Sequence, residues 1–223
     1  FQHSKRDLPW RQTTNPYLIW VSEIILQQTR VDQGISYYEK FIKTFPTLAH
    51  LANASFNDVL LVWQGLGYYR RAQNLHNSAK LIFNTLPFRF PSTYVELKKL
   101  AGIGDYTAAA IASIAFQDPV AAVDGNVMRF WSRVFCLSHP MNSPQLKKKC
   151  SEIMEPLLGE AHPGDINQAL MELGATVCKP GDPMCDQCPL KQLCKAHQSG
   201  NQRSYPLRSE EHTSELQSRI TIS

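Results

Sequence analysis

Four of the six cysteines crowd into seventeen residues, spaced Cys178-x6-Cys185-x2-Cys188-x5-Cys194. Soft thiolates at that density select zinc or an iron–sulfur cluster. Zinc sites usually pair two short Cys hooks across a longer spacer. Here one short hook stands between six- and five-residue gaps, a stride that suits a cubane whose four irons each take a separate thiolate. Zinc stays open, as do two disulfides, although nothing signals secretion. Lys179, Lys191 and Lys195 lie around the cysteines, where phosphate contact and plain solvation are equally good readings.

Two carboxylates stand out. Glu23 is embedded in Ile19-Trp20-Val21-Ser22-Glu23-Ile24-Ile25-Leu26. On a helix Trp20, Glu23, Gln27 and Arg30 share one face. Glu23 is then either an acid on the wet stripe or a carboxyl kept protonated by desolvation, as a general acid needs to be. Asp124 precedes a helical stretch in Val-Asp-Gly-Asn-Val at 123–127. That is an ordinary N-cap position, and the helix dipole there is expected to favour the ionised form. One neutral acid and one anion is the division of labour that glycoside cleavage requires. Gly102 and Gly104, one residue apart before a helix start, allow a tight turn whose outward N–H groups favour phosphate; a plain helix connector is the alternative.

The elements that must position these groups read as helices. The expected spans are 19–31, 36–45, 56–64, 71–83, 94–100, 106–115, 127–134, 145–158 and 166–175, and strand-like alternation is scarce. The fold class expected is all-α. The segment 178–194, with prolines at 180, 183 and 189, has too little apolar content to bury itself and needs a staple. The 223 residues are 43% hydrophobic with a net charge of +4, which permits a polyanionic partner without requiring one. No run of 18 apolar residues appears. The chain opens on Phe1 rather than Met, so an incomplete N-terminus is expected. Residues 208–223 resemble the translation of a sequencing-adapter oligonucleotide and are expected to be library read-through, with a polar tail as the alternative.

Several motifs in order carry a resemblance: Asn-Pro-Tyr-Leu-Ile-Trp-Val-Ser-Glu-Ile-Ile-Leu-Gln-Gln-Thr-Arg-Val at 15–31, Trp-Gln-Gly-Leu-Gly-Tyr-Tyr at 63–69, Val-Asp-Gly-Asn-Val at 123–127, and Asn-Gln-Ala-Leu-Met-Glu-Leu-Gly-Ala at 167–175. With the cysteine spacing and the Gly102/Gly104 turn, the stretch 7–196 resembles MutY-type adenine DNA glycosylases of the helix–hairpin–helix, endonuclease III-like superfamily. Ala101 stands where that family usually has proline.

The resemblance implies two helical lobes: a six-helix barrel with the hairpin at 20–127, and a cluster lobe from 1–19 and 128–198, with the active site in the cleft between them. It implies a [4Fe-4S] cluster on Cys178, Cys185, Cys188 and Cys194. It implies hydrolysis of the glycosidic bond of adenine opposite 8-oxoguanine or guanine in double-stranded DNA, by a monomer in the bacterial cytoplasm. Glu23 would protonate adenine, Asp124 would stabilise the cationic sugar, and Tyr106 and Asn126 would support them. Gln28 and Tyr68 would wedge the DNA stack, although residue pattern alone reads them as helix surface and core aromatic. Gln27, Gly102 and Gly104 would contact DNA, Gln168 would lie near the adenine edge, and Arg11 near the pocket wall. Lyase relatives carry lysine where this chain has Tyr106, so no Schiff base is expected. Full-length relatives add a Nudix-like domain that reads 8-oxoguanine, and the chain stops short of it. The rival expectations are another base specificity on the same fold, a non-catalytic DNA-binding module, and a zinc-stapled scaffold.

Overall fold

The computed structural model describes residues 6–85, 89–160 and 162–207. The read-through expected at 208–223 lies outside them. Among the described residues the structure is helical, with one isolated parallel bridge between Pro140 and Leu207. Eleven α-helices run in order: α1 (Pro16–Leu26), α2 (Val31–Thr44), α3 (Leu48–Asn53), α4 (Phe56–Trp63), α5 (Arg70–Thr85), α6 (Tyr94–Leu97), α7 (Asp105–Phe116), α8 (Gly125–Phe135), α9 (Pro144–Glu160), α10 (Pro163–Thr176) and α11 (Lys195–Gln198). No helix among them is long and apolar enough to cross a membrane.

Local chemistry explains the starts. Asn15 caps α1 by accepting from the Tyr17 N–H at 3.0 Å, with Pro16 at the first helical position. Ser55 with Asp58 and Thr93 with Glu96 form reciprocal capping boxes at α4 and α6. One helix end and one whole helix depart from expectation. The span 19–31 breaks at Leu26, so Gln27 and Arg30 leave the face they were expected to share with Glu23. Helix α3, six residues under a Thr47 cap, is too short for its periodicity to have been read.

The contacts divide the chain into two units, taken within the described residues as 6–122 with 162–164, and 123–160 with 165–207. The first unit buries Trp20, Phe41, Trp63, Leu51, Leu75, Ile82 and Ile111 completely or nearly so. Each such side chain contributes about 1.5–3 kcal/mol on leaving water. The α7 sequence Asp-Tyr-Thr-Ala-Ala-Ala-Ile-Ala-Ser-Ile-Ala-Phe suits its place: its small residues are buried, and α1 and α6 pack on it. Residues 6–19 fall in this unit, not with the cysteine segment as expected. The Trp10 ring packs edge-on against Tyr38 of α2 at 5.3 Å, and the Tyr17 hydroxyl donates to the Phe45 carbonyl at 2.7 Å, two of the long-range contacts that hold this segment there. In the second unit α8 is central, with α9 and α11 packed on it around Val127, Phe130, Leu146, Met154 and Ala196.

Candidate functional site

In the second unit, Asp124 caps α8. Its Oδ1 accepts from the Val127 N–H at 2.8 Å, and its Oδ2 from the Asn126 side-chain amide at 2.7 Å. The expectation that the helix start favours the ionised form is only partly met. Burial pushes the carboxyl above its ordinary value of 3.8, and the bonds from Val127 and Asn126 and the charge of Arg129 pull down without cancelling it.

Behind Asp124 runs a chain of hydrogen bonds that sequence reasoning missed. The Asn126 Oδ1 accepts from Arg129 Nη2 at 2.8 Å. The same guanidinium donates to the Gly174 carbonyl at 2.7 Å and, through Nε, to the Cys178 carbonyl at 2.8 Å. One turn on, Arg133 donates to the Cys178 Sγ at 3.3 Å and the Lys179 carbonyl at 2.7 Å. Arg129 and Arg133 are 9% and 3% exposed, so α8 turns two buried cations toward the cysteine segment. Their i, i+4 spacing in the sequence is equally that of cations on a wet helix face and gave no signal of burial. Gly174 permits this arrangement: a Cβ there would lie 2.6 Å from the Asn126 Cβ and 2.8 Å from its carbonyl oxygen. Gln168 is half-buried on α10 in this unit.

The four cysteines line one cavity with Phe130, Arg133, Val134 and His197, and none is disulfide-bonded. Among the described residues, no three His, Cys, Asp or Glu side chains are gathered as a set that could hold a metal ion. The chemistry of the cysteine set is nonetheless that of a cation site. Backbone N–H groups of Leu190, Ala196 and His197 point at the sulfurs of Cys188 and Cys194. Burial pushes both thiols up and mutual repulsion adds to it, so four thiolates here need a compensating cation.

In the first unit, Glu23 is half-buried on α1 between buried Ser22 and Ile24, so it is not a fully solvated acid. Gln27 reaches the hairpin: its Nε2 donates to the Gly102 carbonyl and the Thr107 hydroxyl, each at 3.4 Å. Gly102 has φ +80° and Gly104 caps α7, so the hairpin forms as expected with Ala101 in place of proline. Tyr106, half-buried at the start of α7, packs with Ala109, Ala110 and Ala122. Arg11 lies in the 3₁₀ turn Pro9–Arg11 and donates to the Arg6 carbonyl at 3.4 Å. Gln28 and Tyr68 are both exposed, which excludes the core-aromatic reading of Tyr68. A third buried arginine, Arg71, is hydrogen-bonded to the loops that carry them.

Residues 21–156 match the model of the HhH-GPD superfamily base excision DNA repair protein. The chain is 44% identical over 207 residues to adenine DNA glycosylase of Rattus norvegicus, and 43% to that of Homo sapiens, covering 89% of this chain in each case. It is 35% identical to adenine DNA glycosylase of Buchnera aphidicola from Schizaphis graminum, over 92% of this chain. The chain spans only 40%, 38% and 59% of the lengths of those three relatives. Among solved structures, a thermostable thymine-DNA glycosylase superposes with a TM-score of 0.80 at 29% identity, over 89% of this chain and 91% of that one. A non-covalent endonuclease III–DNA complex gives 0.67 at 20% identity over 83% and 86%, a likeness of fold.

Proposed function

The chain belongs to the HhH-GPD superfamily of base excision DNA repair proteins, and from that membership we propose that it is a monofunctional glycosylase removing adenine opposite 8-oxoguanine or guanine in duplex DNA. The observation that carries this reading is the Asp124 assembly. An aspartate with both oxygens engaged, backed by Asn126 and Arg129, is built to present a fixed carboxylate.

The target base must leave the stack before it can react. Gln28 and Tyr68 wedge the duplex, offsetting stacking lost at the step they enter. The hairpin at Gly102 and Gly104 takes backbone phosphate, contact that carries no sequence information. Glu23 protonates N7 of adenine and makes the base a better leaving group. The Asp124 anion stabilises the positive sugar as the C1′–N bond breaks, and water completes hydrolysis. Asn126 fixes the Asp124 Oδ2, and Tyr106 supports the sugar. Gln168 and Arg11 complete recognition of the base and the pocket wall. Tyr106 has no amine, so it cannot form the Schiff base of the lyase branch.

Cys178, Cys185, Cys188 and Cys194 would hold a [4Fe-4S] cluster, which when bound supplies a structural cross-link and the cation their thiolates require. Arg133 and the backbone N–H groups would orient those thiolates.

A second specificity, for thymine in G·T pairs, is favoured by the 0.80 superposition on a thymine-DNA glycosylase. A panel of duplexes decides. Release of adenine from A·8-oxoguanine and A·G, with no thymine release from G·T and no borohydride-trapped adduct, is the expected outcome. Thymine release that outpaces adenine release would overturn the assignment.

A further inference from the structure

Gln28 and Tyr68 share a backbone oddity. Both are exposed, neither is glycine, and both hold left-handed φ, +57° and +47°. For Gln28 the cause is a tight turn. The Thr29 N–H bonds the Leu26 carbonyl at 3.2 Å across Gln27 (φ −58°, ψ 114°) and Gln28, the form of turn whose third residue favours glycine. The end of α4 makes the same turn, with the Leu66 N–H on the Trp63 carbonyl at 3.0 Å, and there the third residue is Gly65 at φ +93°. Position 28 thus carries a long polar side chain where its structural twin carries none. Such backbone persists only when its surroundings enforce it.

One side chain does the enforcing in both places. Arg71, on the first turn of α5, is 8% exposed. Its Nη1, with two N–H groups to share, lies within hydrogen-bond distance of the Ile24 carbonyl at 3.1 Å, the Ile25 carbonyl at 2.9 Å, the Thr29 hydroxyl at 3.3 Å, and the Gln27 carbonyl. Its Nη2 donates to the Gly67 carbonyl at 3.3 Å. The guanidinium also lies 5.4 Å from the Tyr68 ring and 5.5 Å from that of Trp63, whose own N–H bonds the Gly67 carbonyl at 3.0 Å. The carbonyls of Gln27 and Gly67 belong to the peptides immediately before Gln28 and Tyr68. Holding those planes on one side, while the Thr29 N–H bonds the Leu26 carbonyl at 3.2 Å and the Arg71 N–H bonds the Tyr68 carbonyl at 2.9 Å on the other, leaves the φ of Gln28 and Tyr68 little freedom.

We infer that Arg71 is a positioning residue that sets Gln28 and Tyr68 together, as one clamp, in the conformation that presents both to DNA. This rests on the reading of those two side chains as the wedge. Arg71 itself touches neither base nor sugar. Its contribution belongs to base extrusion and not to bond cleavage. The planar fork is essential, because a single ammonium cannot bond the end of α1 and its turn through one nitrogen and the Gly67 carbonyl through another while lying over the Tyr68 ring.

The test separates opening from chemistry. Opening is followed with 2-aminopurine beside an adenine paired with 8-oxoguanine, in a Glu23→Gln background so that nothing is excised. Cleavage is followed by single-turnover adenine release from the paired duplex and from a single strand, where no extrusion is needed. Arg71→Met is expected to lower paired-duplex release by roughly tenfold or more, with a matching loss of opening, while single-strand release changes by less than about threefold. Arg71→Lys keeps the charge and is expected not to rescue.

Equal losses on both substrates, or full rescue by lysine, would overturn the inference. If Arg71→Met does not fold by circular dichroism, Thr29→Val removes one acceptor and is expected to give the same asymmetry at about two- to fivefold; no asymmetry overturns the clamp. Tyr68→Ala distinguishes the two layers. Unchanged opening in Tyr68→Ala would remove the wedge reading itself. Lost opening in Tyr68→Ala with normal opening in Arg71→Met would remove only the role of Arg71.

Discussion

Gly174→Ala and Gly159→Ala are the same chemical change in two helices and should have opposite consequences. An alanine in place of a helical glycine ordinarily adds up to about 1 kcal/mol. Gly159 of α9 has nothing within 4 Å of where its Cβ would stand, so the gain should be realised. At Gly174 the Cβ would lie 2.6, 2.8 and 2.9 Å from the Cβ, carbonyl oxygen and carbonyl carbon of Asn126, against an ordinary contact of at least 3.4 Å. Two of those atoms are backbone, so α10 and the start of α8 must separate by roughly 0.8 Å, at an overpacking cost of about 1–3 kcal/mol. Less the helix gain, the net destabilisation is about 0–2 kcal/mol, or up to about 8 °C in melting temperature for a chain of this size.

The displaced residue is the one whose amide fixes the Asp124 Oδ2, and the Gly174 carbonyl is an Arg129 acceptor. A carboxylate misplaced by that much should slow single-turnover adenine release about ten- to a hundredfold. Thermal melts and single-turnover assays on A·8-oxoguanine duplex provide the check. If Gly174→Ala raised the melting point as Gly159→Ala does and left turnover intact, the close approach of the two helices would not be what positions Asp124.

The carboxyl of Asp124 has a raised pKa and is proposed to act as an anion, so activity should fall as pH drops through a value above 3.8, seen as the acid limb of a single-turnover pH profile. Folding has the opposite sign: the protonated carboxyl is the form burial favours, so its stabilisation is full below the unfolded pKa and is lost as pH rises through the folded one. The melting point of wild type should therefore gain on that of Asp124→Asn as pH is lowered from neutral toward the ordinary value of 3.8. Arg129→Met removes a cation that lowers the Asp124 pKa and three hydrogen bonds, and should move that acid limb upward while cutting turnover; an unmoved limb would contradict the link. Cys188→Ala should lose bound iron and the brown sulfur-to-iron absorption, with a lower melting point; full iron content would reassign the ligands.

Much of this was legible in the residues. Helical periodicity located nine of the helices, and the Asp124 cap and the hairpin turn stand where their residue types place them. The buried arginines were not legible. Arg71, Arg129 and Arg133 sit in amphipathic helices, where a cation normally marks the wet face; only the folded chain shows carbonyls gathered around each one. The break at Leu26 was hidden for a related reason, since its turn places Gln28 where glycine would have announced it. The grouping of residues 6–19 depends on long-range contacts such as those of Trp10 with Tyr38 and of Tyr17 with Phe45, which spacing along the chain cannot reveal.

The most direct test of the account is single-turnover adenine release by Glu23→Gln from a duplex carrying adenine opposite 8-oxoguanine. Glutamine keeps the shape of the half-buried side chain on α1 and removes its transferable proton. The account predicts that this variant binds the duplex as wild type does and releases no adenine above background. Release at a rate near wild type would show that Glu23 is not the proton donor and would contradict the proposed chemistry.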